Sequence, residues 1–332
     1  MAETMTTAMR HLPGAEVVAV SSSTLERAEA FAKNNGIPRA YGKFRDFLAD
    51  PLVDIVYIAN SSRFHADACE AALDSGKNVL CEKPFALSGS QARRVVDAAE
   101  RSSKFFMEAL WTLFLPAYER LLATASAATF GDPKYMRFEF GYPVHVDDLA
   151  RLTAEEDGGI LFDRGCYGVA LAIKMFGEVQ DISSLSSGAT ITLQLRHANG
   201  VQSHIAVSAD ALLSNTVAVG YSEGCAGLDA PAIGAESFWS APIEIRKIGE
   251  GMESPIRRKL RQSTLARRIH RSLTEPRRVR LSYGEGPYLA MLQHVISRLD
   301  AGARSSEILP LSISTAAVTV LEQAKNQHER LV

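Results

Sequence analysis

Two rhythms of apolar and polar positions alternate through the first third of the chain. Short, almost wholly apolar runs ("AEVVAVS", "VDIVYIAN", "NVLCE" and "KFFMEAL") read as strands covered on both faces. Between them the apolar residues recur at helical spacing. Met5, Met9 and Leu12 share one face of a first helix, with Gly14 beyond its end. Thr24 caps a second helix carrying Leu25, Ala28, Phe31 and Ala32, which Asn35-Gly36 closes. A short helix over 44–49, one through "HADACEAALDSG" and one opened by a Ser88/Gln91 capping box complete the series. Short strands alternating with helices predict right-handed βαβ units and a parallel sheet. Such sheets place ligands outside the carboxyl ends of their strands, which singles out Ser21–Ser23, Asn60–His65 and Glu82–Pro84.

After Trp111 the pattern changes. A helix over 116–128 leads into "KYMRFEFGY", and a Gly-rich turn opens the long helix of "DGGILFDRGCYGVALAIKMFG". Period-two stretches follow: "ATITLQLRHANGVQSHIAVSAD" with a hairpin turn at Ala198-Asn199-Gly200, then "NTVAVGYSE", "IEIRKIG" and "RRVRLSY". These predict a mostly antiparallel sheet with helices on one side, and a closing helix over about 314–330. The fold expected is α/β: a Rossmann-like parallel sheet over residues 1–110, then an α+β domain over 111–332.

Composition narrows the function classes. At 332 residues, 46% apolar and 22% charged, the chain is an ordinary globular one of two-domain length. A net charge of −2 gives no general attraction to nucleic acid or anionic membrane, and no apolar run is long enough to span a bilayer. Cys69, Cys81, Cys166 and Cys225 lie scattered, without metal-ligand spacing, as reduced thiols of a cytoplasmic protein would. From Pro255 to Arg280, ten Arg or Lys accompany a single acid. Ile256, Leu260, Leu265 and Ile269 there suit a solvated amphipathic helix; a phosphate-bearing ligand, acidic partner or membrane surface is the alternative.

The front of the sheet lacks something. A dinucleotide-binding sheet begins strand, glycine turn, helix, whereas this chain opens inside the helix and no G-x-G-x-x-G precedes it. The central strand would bury about five apolar side chains, roughly 10 kcal/mol of transfer free energy, comparable with a whole domain's stability of about 5–15 kcal/mol. Two strand edges would face each other unpaired. The expectation is a true start upstream of Met1, or a compromised first domain.

Two constellations carry candidate chemistry. Glu82-Lys83-Pro84 sits at the carboxyl end of an apolar strand, where an ammonium can stabilise negative charge on a reacting oxygen. Read alone, it is equally a solvated lysine before a terminating proline. Asp163 and Tyr167, four residues apart, share one helix face. They could form a proton-transfer pair, or a core tyrosine with a first-turn aspartate. A phenol titrates near 10 when unperturbed, and a nearby Lys83 is expected to lower that.

The stretches "VDIVYIANSSRFHADACEAALDSGKNVLCEKPFALSGSQA" and "MEALWTLFLPAYERL", with the downstream "FDRGCY", resemble the Gfo/Idh/MocA oxidoreductases. The dimeric dihydrodiol dehydrogenase and NADP-dependent xylose dehydrogenase branch is the nearest in pattern. The resemblance implies Lys83 beside the nicotinamide and the substrate hydroxyl, Tyr167 exchanging that hydroxyl's proton, and Asp163 orienting the site. It implies cofactor contacts at Ser21, Ser22, Ser23, Asn60, Ser61, His65, Glu82, Pro84 and Trp111. His65 reads equally as a helix start. No acid follows the second strand to read ribose hydroxyls, which favours NADP over NAD. The branch's arginine is replaced by Ser23, with Arg27 one turn on as its substitute, and a second arginine is replaced by Leu113.

The function expected is hydride transfer between NADP(H), or NAD(H), and a CH–OH group of a sugar, cyclic polyol or dihydrodiol. The protein would be a cytoplasmic homodimer with neither nucleic acid nor membrane as partner, and no metal. The competing reading is a catalytically silent relative that retains a sugar-binding or dimerisation surface.

Overall fold

In the computed structural model, residues 2–127, 130–243, 263–264 and 276–329 are described. The structure opens with α1 (Ala2–Met9), whose Met5 is fully buried, and the chain turns at Gly14. Strand β1 (Ala19–Ser21) follows, then α2 (Leu25–Asn34), β2 (Arg39–Tyr41) and α3 (Phe44–Leu48). The Thr24 hydroxyl accepts from the Arg27 N–H, so the expected cap is present. Next come β3 (Ile55–Ile58), α4 (His65–Asp74), β4 (Asn78–Cys81), α5 (Gly89–Ser102) and β5 (Phe106–Glu108). Ser88 caps α5 by accepting from Gln91 N–H. The Gln91 side chain does not return to Ser88; its oxygen accepts from Leu87 N–H at 2.8 Å, so only half of the expected capping box forms.

All five strands are parallel, as the βαβ rhythm requires, yet they make two sheets. β1 pairs with β2, and β3–β4–β5 form the other, with no ladder between β1 and β3. The run "AEVVAVS" contributes only three residues to pairing. A cavity of about 1850 Å³ lies between the sheets.

The second part begins with α6 (Pro116–Ser126) and β6 (Pro133–Gly141), then α7 (Val146–Leu152) and α8 (Gly159–Phe176). Seven strands follow: β7 (Val179–Ser187), β8 (Thr190–His197), β9 (Gln202–Ser208), β10 (Val217–Tyr221), β11 (Gly224–Leu228), β12 (Ser237–Pro242) and β13 (Arg277–Arg280). With β6 they form one eight-stranded sheet, order β13-β12-β11-β10-β6-β9-β8-β7. It is antiparallel except at β6–β9. The turn at Gly200 (φ +82°) joins β8 to β9 as expected. "IEIRKIG" beyond Ile243 and the predicted basic helix, with Ile256, Leu260, Leu265 and Ile269, lie outside the described residues; Arg277–Arg280 is a strand, as the pattern of "RRVRLSY" predicts.

Two more helices, α9 (Leu289–Asp300) and α10 (Leu311–Glu329), complete the chain. α8 and α10 cover one face of the large sheet, and α10 reaches across to α5, where Glu322 accepts from Gly89 N–H at 2.9 Å. A carboxylate at that helix N-terminus suits the dipole. Among the described residues no helix is long and apolar enough to cross a membrane.

Candidate active site

The chain leaves β4 through Glu82, Lys83 and Pro84, and buried acids hold this turn. Glu82 accepts from Lys83 N–H and from the Tyr57 hydroxyl of the neighbouring strand. Glu108, at the end of β5, accepts from Phe85 N–H at 3.1 Å. Burial pushes both carboxyls up, Glu108 to about 7. The Lys83–Pro84 peptide is cis.

Lys83 projects onto the start of α8. Its ammonium donates to the Asp163 carbonyl and to the Asp163 carboxylate, each at 2.7 Å. It also stands 5.2 Å from the centroid of the Tyr167 ring. α8 can approach this closely because Gly158 (φ +89°) starts it: a Cβ there would lie 2.7 Å from both Leu87 and Phe162. The i, i+4 spacing then aims Asp163 and Tyr167 at one lysine. Residues 80 apart in the chain thus converge.

The electrostatics differ from the expectation in one respect. Burial pushes the Tyr167 phenol up, and the Lys83 cation, which pulls it down, does not overcome that; the net shift is upward. Burial also works against charge on Lys83 and Asp163, but there the mutual attraction prevails: Lys83 is held above its ordinary value and Asp163 below. At neutral pH the site therefore holds an ion pair beside a protonated phenol.

His65 sits fully buried at the start of α4 between two loops. Its Nδ1 lies 2.7 Å from the Pro84 carbonyl and its Nε2 2.9 Å from the Asn60 carbonyl. The ring thus ties the loop after β3 to the turn after β4, and burial lowers its basicity. The same loop is fastened to the second part of the chain: Arg63 N–H donates to Asp157, and its guanidinium pairs with Glu156.

Ser21, Ser22, Ser23, Arg27, Asn60 and Ser61 all line the cavity between the two small sheets. Arg27 donates to Ser23 Oγ at 3.3 Å, so the substitute cation stands beside the serines that follow β1. Lys83, Asp163 and Tyr167 are outside that lining and connect to it through His65. Trp111 is nine-tenths buried, its ring 5.0 Å from that of Tyr288, and its indole N–H has no partner among the described residues.

Several residues here carried no legible signal. Tyr57 and Glu108 read only as strand residues. Tyr288 follows the uninformative glycine pair of "YGEGPY", yet lies close enough to feel the charges of Glu82 and Lys83. Arg164 is buried beside Asp163, donating to the Ser208 and Tyr142 carbonyls and standing 4.2 Å above the Tyr142 ring. Its burial could not be read from a charged residue in an apolar helix.

A sequence model described as "Oxidoreductase family, NAD-binding Rossmann fold" matches residues 1–110, and the "GFO/IDH/MocA C-terminal domain" matches 118–226. The trans-1,2-dihydrobenzene-1,2-diol dehydrogenase of Bos taurus is 34% identical over 331 residues, covering 96% of this chain and 91% of that protein. The chain belongs to the Gfo/Idh/MocA oxidoreductase family. Two solved structures of similar fold are a levoglucosan dehydrogenase in complex with NADH and levoglucosan, and a 3-ketoreductase from Actinomadura kijaniata with NADP. The first superimposes with a TM-score of 0.79 at 15% identity, covering 95% of this chain and 89% of that one. The second gives 0.75 at 17%, covering 97% and 92%.

Proposed function

We propose that this protein is a nicotinamide-dependent dehydrogenase acting on a CH–OH group of a sugar, cyclic polyol or dihydrodiol. The observation that carries the reading is the Lys83 ammonium, held by Asp163 and facing the Tyr167 ring. The related dihydrodiol dehydrogenase and the levoglucosan- and NADP-bound neighbours supply its substrate and cofactor classes. In this reading residues 1–110 hold cofactor and 111–332 hold substrate and the dimer contact.

The cofactor fits the residues present. Small hydroxyl side chains at Ser21, Ser22 and Ser23, with Arg27 and no acid among them, suit a ribose bearing a 2′-phosphate, hence NADP over NAD. Asn60 and Ser61 line the same cleft from the other sheet; Glu82, Pro84, His65 and Trp111 would frame the nicotinamide end. When bound, the cofactor supplies or accepts the hydride. Lys83 stabilises negative charge on the substrate oxygen. Tyr167 gives its proton to that oxygen in the reductive direction and receives it in the oxidative one. Asp163 keeps the ammonium charged and aimed. No metal takes part in these steps.

A screen over sugars and cyclic diols with NADP⁺ and NAD⁺, read at the nicotinamide absorbance, tests the reading. In the active combination, Lys83→Met should lower kcat by about a hundredfold or more and leave cofactor Kd within about tenfold. Retained turnover would remove Lys83 from the mechanism. Failure of any cofactor to bind at millimolar concentration would favour the silent relative instead.

The free cysteines support a reducing, cytoplasmic setting. The face of the large sheet left open by α8 and α10 exposes Tyr135 and Leu185, which supports a homodimer.

A further inference from the structure

Arg164 is the largest fully buried side chain among the described residues. A buried cation is costly unless it is paired and hydrogen-bonded. The guanidinium donates to the Ser208 and Tyr142 carbonyls, at the carboxyl ends of β9 and β6. It stands 5.1 Å from the centroid of the Phe140 ring and 4.2 Å from that of Tyr142. Two carbonyls and two ring faces offset part of the lost hydration, but none of them is charged. Its ion-pair partner among the described residues is Asp163, with Nε 4.0 Å from Oδ2.

Asp163 therefore lies between two cations, because the Lys83 ammonium holds its Oδ1 at 2.7 Å. Lys83 and Asp163 alone would have no net charge. An oxygen brought to that ammonium would feel the nearby carboxylate almost as strongly. A second cation on the other carboxylate oxygen leaves one positive charge over. We infer that Arg164 is a positioning residue, whose buried cation offsets Asp163 and so keeps the Lys83 charge available to the substrate oxygen. The inference rests on the hydride-transfer reading of the same site. Other charges nearby do not replace Arg164. Glu82 is engaged by the Tyr57 hydroxyl and Lys83 N–H, and Glu108 by Phe85 N–H. Arg151 of α7 also favours the Asp163 anion, but it is exposed and paired with Asp148, so solvent screens it. Arg164 reaches Tyr167 as well: Phe140, which it overlies, meets the Tyr167 ring edge to face at 6.1 Å.

A guanidinium that only stapled the ends of β6 and β9 would need N–H donors and no charge, and a glutamine amide supplies donors. The test compares Arg164→Gln, Arg164→Met and Arg164→Lys in the full chain. Carboxyl ¹³C NMR, with Asp163→Asn to assign the resonance, follows the Asp163 titration without cofactor or substrate. That titration should move to higher pH in the Gln and Met variants and stay in place in the Lys variant. In the active combination of substrate and cofactor, Gln and Met should lower kcat/KM about tenfold or more in both directions, with cofactor Kd within about twofold. Lys should keep kcat/KM within about threefold of the parent. A staple would give the opposite order, with Gln close to the parent and Lys impaired, and would overturn the inference. An unmoved Asp163 titration would overturn it too, as would a moved one with kcat/KM unchanged. Should the Gln and Met variants fail to fold, a folded Lys variant with a larger loss than threefold would overturn it alone. A parent without turnover would end the hydride-transfer reading, and the NMR titration would still decide whether Arg164 offsets Asp163.

Discussion

Burial outweighs the pull of Lys83 on the Tyr167 phenol, so its titration moves further above neutral pH, where a phenol is already protonated. That makes it a ready proton donor and a poor base. Lys83 and Asp163 are shifted apart, so neither changes charge near neutrality. The oxidative rate should therefore climb through the alkaline range with no plateau below about pH 10, the ordinary phenol value, while the reductive rate stays flat from about pH 6 to 9. A pH–rate profile in both directions checks this, and Tyr167→Phe should lower both by roughly 10²–10⁴. Glu108 offers a stability test. Its carboxyl titrates at about 7 when folded against 4.5 otherwise. Between these values the unfolded chain releases a proton that the folded one keeps, so the native state loses stability as pH rises, by about 3 kcal/mol in all. Glu108→Gln cannot ionise yet still accepts from Phe85 N–H. Chemical denaturation at pH 4.5 and pH 8 should find the variant gaining about that much on the parent. Equal pH slopes would place the titration elsewhere.

At the level of elements, the ends of α8 and α4 decide the site. α8 meets the turn after β4 only because Gly158 takes a left-handed conformation with no room for a Cβ. Gly158→Ala should cost about 2–4 kcal/mol, through strain and overpacking together. It should also weaken the Lys83–Asp163 contact, seen as a fall in kcat. His65 positions rather than reacts: a buried ring joins the Asn60 and Pro84 carbonyls. His65→Ala should lower kcat with a smaller change in substrate KM, whereas a merely structural loss would lower only the active fraction. The strands and helices around these points were legible, since their apolar periods and caps are local. Glu108, Tyr57 and Arg164 were not, because a polar residue in an apolar run gives no sign of the partner that satisfies it.

Over the whole molecule, α10 ties the two parts together. It packs on α8 and the large sheet and ends its reach at Gly89 on α5. On the opposite face of that sheet, among the described residues, Leu185 is 66% exposed and Tyr135 43% exposed. Light scattering during size exclusion should give twice the chain mass of 36.1 kDa, and Leu185→Glu should shift the species toward one chain. A monomer at micromolar concentration would end the dimer reading. In the first part of the chain β1–β2 and β3–β4–β5 each pair their own strands.

Local chemistry was enough to determine much of this. Alternating apolar runs and helical stripes set the βαβ series, and Thr24 and Ser88 set helix starts. Those features depend on neighbours within a few residues. Tertiary structure alone decided that Lys83 reaches Asp163 across 80 residues and that burial overrules a neighbouring cation at Tyr167. It also decided that His65, at the start of α4, joins two loops. Solvation and charge at a buried atom are sums over everything packed around it, and no stretch of chain contains that sum.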